Sequence, residues 1–117
     1  MPLRPKIGLS VDDLTVTGDL KVEGTTTTLS TTNTIVSDKL MELANGTTGT
    51  PSGDAGIIVE RGSSTNAGMV WDESADAWVA CTTSATGAST GDLSLTPTGF
   101  SCGAATVGGV LDVTDTT

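Results

Sequence analysis

The sequence predicts an all-β protein: an elongated β shaft in which chains intertwine, with a small inserted module rich in β-hairpin structure. Three observations lead to this prediction. Apolar residues alternate with polar ones over residues 14–22, two short apolar runs flank a polar loop within residues 69–81, and residues 15–26 recur in part at residues 106–117. Alternation with a period of two is typical of a strand with one dry face. Apolar runs around a polar loop are typical of a hairpin.

The recurrence sets the expected division of the chain. In chain order, we predict an N-terminal attachment arm at 1–13, a β shaft repeat at 14–45, a β-rich module with the hairpin at 46–105 and the start of a second shaft repeat at 106–117. The two copies are offset by 91 residues and share seven of twelve aligned positions. Such a repeat indicates modular construction. We therefore expect these residues to be part of a longer protein.

The composition indicates that apolar surface is buried between chains. Only 25 of the 117 residues are Leu, Ile, Val or Phe. That share is close to the level of about a fifth below which charged chains often fail to fold alone. The sequence is nevertheless rich in threonine, which is β-branched and fits a pleated surface. An ordered chain of this composition is expected to complete its core with other chains.

The charge excludes several classes of partner. The chain contains fourteen acidic residues and five basic ones, which gives a net charge of −9. A nucleic-acid binder needs a basic face, and binding to anionic lipid needs the same. No run of about 18 apolar residues could span a bilayer, and residues 1–10 lack the apolar core of a secretory signal. We expect a soluble protein made in a cytoplasm, with no nucleic-acid partner and no membrane insertion.

The first shaft repeat is predicted to pair with copies of itself. Residues 14–22 are predicted to form a strand, whereas residues 25–34 hold a single aliphatic side chain. That second stretch is a loop in a monomer, but its threonines could pair across neighbouring chains, which we favour. The predicted oligomer interface consists of Leu14, Val16, Leu20, Val22, Leu29 and Ile35.

Residues 35–44 allow two structures. Asp38 could cap a short helix that ends at Asn45-Gly46. That helix would span barely two turns between β neighbours, so we predict a strand instead.

The module is predicted to contain four short strands separated by polar loops. In chain order they are residues 56–60, 69–71, 77–81 and 93–95; the second and third form a hairpin around the loop 72–76, and Pro97 closes the last strand.

Five segments in this order resemble a known family: residues 14–28, residues 37–43, Asp54-Ala55-Gly56-Ile57, Val70-Trp71-Asp72 and Asp76-Ala77-Trp78. They are similar to the tail-fibre and related virion structural proteins of bacteriophages, particularly marine phages that infect cyanobacteria. The resemblance covers residues 12 to 113. It implies a homotrimeric, β-rich, acidic and metal-independent fibre, fixed to the virion at its N-terminal end. Such fibres usually continue to a receptor-binding tip, and no tip is visible in this sequence.

The first nine residues suggest an attachment site. Pro2 and Pro5 oppose a helix, so the segment is either a frayed terminus or an extended arm. As an arm it would dock on an acidic virion partner through two cations and two apolar anchors, namely Arg4, Lys6, Ile7 and Leu9.

The residue types argue against catalysis, and we predict no catalytic, cofactor-binding or metal-binding residues. The chain contains no histidine, so a Ser-His-Asp triad cannot form within it, and neither cysteine has an imidazole base. Two cysteines without histidine also disfavour structural zinc. Cys81 and Cys102 are predicted to be buried free thiols, with an intrachain disulfide as the alternative.

Two clusters in the hairpin contain residue types that are typical of binding sites. Asp72, Glu73 and Asp76 could bind calcium, but their spacing is not that of an EF-hand and a hairpin loop needs solvated residues. Trp71 and Trp78 could stack on a carbohydrate, but facing strands usually pack two tryptophans together in the core, which we favour.

These observations together favour a non-enzymatic structural component of a phage virion appendage. The preferred hypothesis is a tail fibre that projects or supports host-receptor recognition. The expected partners are other copies of the chain, virion proteins bound by the arm, and a host surface glycan or receptor. A capsid decoration or head-fibre protein is one alternative, and a bacterial surface adhesin or carbohydrate-binding module is another.

Overall fold

A computed structural model describes residues 8–114 of the chain. The chain divides into two compact units, Met1–Ser37 and Asp38–Thr117. Within residues 8–114 the regular secondary structure is four β-strands, and none of these residues is helical. The all-β prediction is therefore confirmed. The same described range contains no helix with the length and hydropathy needed to cross a membrane.

The four strands form one antiparallel sheet in the second unit. They are β1 (Ala55–Arg61), β2 (Ser64–Asp72), β3 (Ala77–Thr83) and β4 (Leu95–Pro97). Their order in the sheet is β1-β2-β3-β4, so each strand pairs with the next one along the chain. This is a meander, which needs only short connections between antiparallel neighbours.

The predicted hairpin is confirmed as β2 and β3. Trp71 lies opposite Trp78, and Asp72 opposite Ala77. The Asp72 carboxylate accepts hydrogen bonds from the backbone N–H of Ser74 at 3.0 Å and from its hydroxyl at 2.7 Å. Because aspartate side chains stabilise turns in this way, Asp72 is a local reason for the chain to reverse here.

The bounds of the strands agree less closely with the sequence. β2 begins five residues before the predicted strand 69–71, and β3 ends two residues after the predicted strand 77–81. The predicted strand 56–60 lies within β1, but β4 begins two residues later than the predicted strand 93–95. Leu93 is outside β4 because its N–H donates to Asp54 Oδ2 at 2.9 Å. Pro97 does not close the strand but belongs to it, opposite Cys81. Proline is tolerated there because β4 is an edge strand.

One face of the sheet carries the small core of the module. Val70 and Cys81 on this face are 1% and 0% exposed. The connection between β3 and β4 covers them, since Asn66 Nδ2 donates to Ala85 O at 3.0 Å and Thr83 Oγ1 to Ser94 O at 2.8 Å. The side chains of one face thus position the covering loop, and we call this side the core face.

The predicted shaft strands are not formed within the single chain. Residues 14–22 and 35–44 contain no strand, and the alternative helix after Asp38 is also absent. A strand is defined by hydrogen bonds to a neighbour, and these segments have no strand partner among the described residues. Lys21 and Glu23 nevertheless form an exposed ion pair at 2.8 Å, so side chains two positions apart project to the same side, as in a strand.

The second copy of the shaft sequence behaves like the first. Residues 106–114 contain no strand, and the last three positions of the copy lie outside the described residues. Pairing of either copy with other chains stays a prediction.

Candidate functional site

The side of the sheet opposite the core face is apolar and uncharged. Residues opposite one another in an antiparallel sheet point to the same side, so the register defines this surface. It consists of three rows across the strands: Ala55, Trp71 and Trp78; Ile57, Met69 and Ala80; and Val59, Ala67, Thr82 and Thr96. None of these ten residues is charged. We call this surface the apolar face.

Four large side chains of the apolar face are exposed, and Trp71 is half-buried. Ile57 and Trp78 are each 60% exposed, and Val59 and Met69 are also exposed. An antiparallel sheet with one covered face normally carries polar side chains on the other. The apolar face departs from that pattern, and it is therefore the candidate binding surface of the module.

Trp71 and Trp78 are in contact, as predicted, but they do not form a buried core. Their ring centroids lie 5.7 Å apart at an interplanar angle of 73°, an edge-to-face arrangement. Trp71 Nε1 donates to Glu73 Oε2 at 2.9 Å. Trp78 lies on the apolar face with most of its surface exposed, so the expectation that both rings are core residues is wrong for Trp78.

A groove of about 660 Å³ lies beside the tryptophan pair. Both indoles line it, together with Met41, Leu43 and Glu73. Its volume is in the range of about 300–1,000 Å³ that is usual for small-molecule sites. Aromatic and carboxylate side chains therefore meet at the end of the apolar face.

Three carboxylates converge at the start of β1. Oxygens of Asp54, Asp72 and Asp92 lie within 4.8 Å of one another. Carboxylate oxygens are ligands of hard cations such as Ca²⁺, so these are the residues that could hold one. Asp54, however, already accepts the N–H of Glu73 and the N–H of Leu93, each at 2.9 Å. Its geometry is accounted for by the backbone that it joins.

The three carboxylates of the hairpin loop, Asp72, Glu73 and Asp76, have separate roles. Asp72 is the only one of those three in the converging group. The Ser74 hydroxyl, which donates to the Asp72 carboxylate, lowers the pKa of Asp72 below its ordinary value. Glu73 accepts from Trp71, and Asp76 occupies the turn with a φ of 51°. The loop is thus organised by hydrogen bonds within the hairpin.

The predicted oligomer interface is exposed in the single chain. Ile35 is 94% exposed, and the other five predicted residues are exposed as well: Leu14, Val16, Leu20, Val22 and Leu29. Of the four predicted attachment residues, Leu9 is exposed. The other three, Arg4, Lys6 and Ile7, lie outside the described residues. Contacts of both groups with partner chains stay predictions.

The two cysteines are free thiols in different surroundings. Cys81 is buried as predicted, and burial raises the pKa of its thiol. Cys102 is exposed, so the expectation of burial is wrong for this residue.

Sequence reasoning missed the role of Asp54 and the exposed apolar face. Asp54 is separated from Asp92 by 37 residues, so their proximity depends on tertiary structure alone. The apolar face had a local signal, because Ile57-Ile58-Val59 is a continuous apolar run rather than an alternating one. Such a run is typical of a strand that is buried on both sides.

Comparison of the chain with protein-family models, with curated proteins and with solved structures finds no match.

Proposed function

We propose that this chain is a non-enzymatic structural component of a bacteriophage virion appendage. In this proposal it forms a homotrimeric tail fibre that projects or supports a surface for recognising the host receptor. The motifs that resemble virion structural proteins support the proposal, and so do the all-β fold and the acidic composition.

The exposed apolar side chains of residues 14–22 are the observation that carries the proposal. The four of them are 43–68% exposed in the single chain. They recur at even positions, so in an extended segment they share one face, which other copies of the chain would bury.

The proposed shaft contact involves the apolar positions of residues 14–22. Leu14, Val16, Leu20 and Val22 are exposed in the single chain, and we propose that they bury against the same residues of neighbouring copies. The backbone of this segment has no strand partner among the described residues. Pairing between copies would satisfy its N–H and C=O groups, which otherwise have only water as a partner.

The exposed indole of Trp78 favours a second candidate, a carbohydrate-binding module. Trp78 is exposed beside the groove that Glu73 also lines. An exposed ring supplies a stacking surface for a sugar, and a carboxylate accepts hydrogen bonds from hydroxyl groups. This candidate predicts glycan binding that disappears in Trp78→Ala while the hairpin stays folded.

The solution mass tests the proposal. Equilibrium sedimentation of the purified chain is expected to give three times the 11.7 kDa of one chain. A well-folded monomer would contradict the trimer. Gold labelling of assembled virions then decides location: label on the tail supports a tail fibre, and label on the capsid supports a head fibre or decoration protein.

The arm is proposed to attach the fibre to an acidic virion protein through Arg4, Lys6, Ile7 and Leu9. A chain that lacks residues 1–13 is expected to keep its oligomeric mass and to be absent from virions. Normal incorporation of the shortened chain would contradict this role for the arm.

A further inference from the structure

We infer that Asn45 is a site of spontaneous covalent modification, at which the backbone nitrogen of Gly46 converts the asparagine into a mixture of aspartate and isoaspartate. The inference goes beyond the proposed function and does not depend on it, because the reaction needs only the turn at Asn45-Gly46 and water. Peptide chemistry tests it, whereas the proposed fibre is tested by its mass and by its location on the virion.

The reaction balances without an enzyme or a cofactor. The Gly46 nitrogen attacks Asn45 Cγ, and a succinimide ring forms. The bond from Cγ to the side-chain nitrogen breaks, and this nitrogen leaves as ammonia with the proton that the Gly46 nitrogen has lost. Water then opens the ring at either carbonyl carbon. One opening gives aspartate, and the other gives isoaspartate, in which the backbone runs through the side chain. No atom is oxidised or reduced.

The turn leaves the attacking nitrogen accessible. Asn45 and Gly46 are the two central residues of a turn in which the Thr47 N–H donates to Ala44 O at 3.2 Å. Within residues 8–114, no backbone hydrogen bond of this turn is donated by the Gly46 N–H. Even a Cβ atom added at Gly46 would meet nothing within 4 Å. The approach between this nitrogen and the neighbouring side chain is therefore open.

The turn can also change shape without disturbing the sheet. Ring closure requires rotation of Asn45 about its Cα–C bond. Gly46 has a φ of 88°, as at the third position of a type II turn, and glycine adopts either sign of φ readily. The hydrogen bonds that oppose the rotation are local: Thr47 donates to Ala44 O from its N–H and, at 2.7 Å, from Oγ1, and Asn45 Nδ2 donates to Glu42. Exposed segments that are held by few local bonds open at low free-energy cost.

The other amide side chains of the chain each face an obstacle. The chain contains three asparagines and no glutamine. Asn33 precedes Thr34, whose β-branched side chain crowds the backbone nitrogen. Asn66 lies inside β2, where its Nδ2 donates to Ala85 O at 3.0 Å and the strand restrains its backbone. Asn45 is thus the one asparagine that combines exposure, a glycine neighbour and a position outside the sheet.

The product changes a contact at the groove beside the tryptophan pair. In the unmodified chain Asn45 Nδ2 donates to Glu42 Oε2 at 3.1 Å, and Glu42 lines that groove. A carboxylate at position 45 has no hydrogen to donate and repels the carboxylate of Glu42. The reaction therefore replaces an attraction by a repulsion in the wall of the groove, and it adds one negative charge to a chain of net charge −9.

The test follows all three asparagines in one sample of the full chain. The purified protein is incubated at physiological temperature and mildly alkaline pH, and peptides are collected over several weeks. Mass spectrometry separates amide from carboxylate, and electron-transfer fragmentation distinguishes isoaspartate from aspartate. Gly46→Ala is compared with Gly49→Ala, its matched control in the same loop, because both glycines have a positive φ and open space around an added Cβ.

We expect Asn45 to convert several-fold faster than Asn33 or Asn66, with isoaspartate among the products. Gly46→Ala is expected to slow this conversion several-fold, and Gly49→Ala to leave it unchanged. Conversion of Asn45 no faster than that of Asn33 would overturn the inference. A product that contains aspartate alone would also overturn it, because direct hydrolysis by water gives no isoaspartate. Equal rates in the two variants would do so as well, because attack by the Gly46 nitrogen would then not control the rate.

Mass separates this inference from the proposed fibre. A chain that is monomeric in sedimentation but converts at Asn45 would contradict the trimer and support the inference. A trimer whose Asn45 stays unmodified would support the fibre and overturn the inference.

Discussion

At the scale of single residues, Gly56 explains part of the Asp54-Ala55-Gly56-Ile57 motif. It lies on the core face of β1, opposite Val70 of β2. A Cβ atom at this position would lie 2.7 Å from Val70 Cα and would contact Met69 O even more closely. Because both contacts are with backbone, no side-chain rotation can relieve them. The position requires glycine for close approach of two strands.

Gly56→Ala is therefore expected to destabilise the module by about 1–3 kcal/mol, the usual range for overpacking a core. Chemical denaturation followed by tryptophan fluorescence measures the change in the free energy of unfolding. Gly87→Ala is the matched control, because a Cβ there meets nothing within 4 Å. Equal stability of the two variants would contradict the close approach of β1 and β2.

Asp72 gives the hairpin a pH dependence whose sign follows from its lowered pKa. The Ser74 hydroxyl holds the pKa of Asp72 below its ordinary value in the folded chain. This stabilisation is fully present above the pKa of the unfolded chain and is lost as the pH falls through the lower, folded pKa. Denaturation at a series of acidic pH values is expected to show a loss of stability that is smaller in Asp72→Asn. An identical profile for the variant would contradict this role.

At the scale of secondary structure elements, Asp54 joins three parts of the module. Lying just before β1, it accepts one N–H from Glu73 in the β2–β3 turn and another from Leu93 ahead of β4. In addition, Asp54 N–H donates to Gly91 O at 2.9 Å. One residue thus positions the ends of both outer strands.

Asp54→Ala is expected to destabilise the module by about 2–4 kcal/mol, because two charge-assisted hydrogen bonds to backbone are lost. Asp92→Ala is the control, since Asp92 is exposed and removal of its charge relieves repulsion within the carboxylate group. Thermal unfolding measures both variants. A larger loss in Asp92→Ala than in Asp54→Ala would contradict the joining role of Asp54.

The same scale explains which elements could be predicted from the sequence. The existence of β1, β2 and β3 could be predicted from the sequence, because their apolar runs and the polar turn at Asp72 are local signals. β4 was displaced by the hydrogen bond from Leu93 to Asp54, a contact across 39 positions that no local pattern contains. The exposure of Trp78 was unpredictable because the pattern at Trp71 and Trp78 places both rings on one face without saying which face is covered.

In the segment 14–22, by contrast, a clear local pattern is present but the predicted strand is not formed. Its alternation is the clearest strand signal in the sequence, yet the single chain contains no strand there. A periodic pattern specifies which side chains share a face, but a strand also needs a hydrogen-bonded neighbour. The sequence can therefore indicate which side chains share a face in a segment that, in our proposal, becomes a strand only when copies of the chain pair.

Leu20→Asp tests that segment as an element. Each copy would bury an unpaired carboxylate in the proposed shaft, which costs several kcal/mol per site, so assembly is expected to be lost. Thr17→Asp is the matched control, because Thr17 is exposed on the polar side of the alternation and the substitution adds the same single negative charge. Light scattering measures the mass of both variants. Loss of assembly in both, or in neither, would contradict a face-specific contact.

At the scale of the whole molecule, two surfaces carry exposed apolar side chains: the alternating segment 14–22 and the apolar face around Ile57 and Val59. Both belong to a strongly acidic chain whose module has a small core around Val70 and Cys81. The proposed self-association accounts for the exposure of the segment 14–22, because other copies of the chain would bury it.

The mass of the purified wild-type chain in solution tests this account most directly. Sedimentation equilibrium over a range of concentrations is expected to give a stable species of three times 11.7 kDa, with no folded monomer at accessible dilution. A monodisperse monomer would contradict the account if its circular dichroism keeps the exciton signal that the neighbouring Trp71 and Trp78 rings, 5.7 Å apart, are close enough to give. The module would then be folded while both apolar surfaces remained exposed to water.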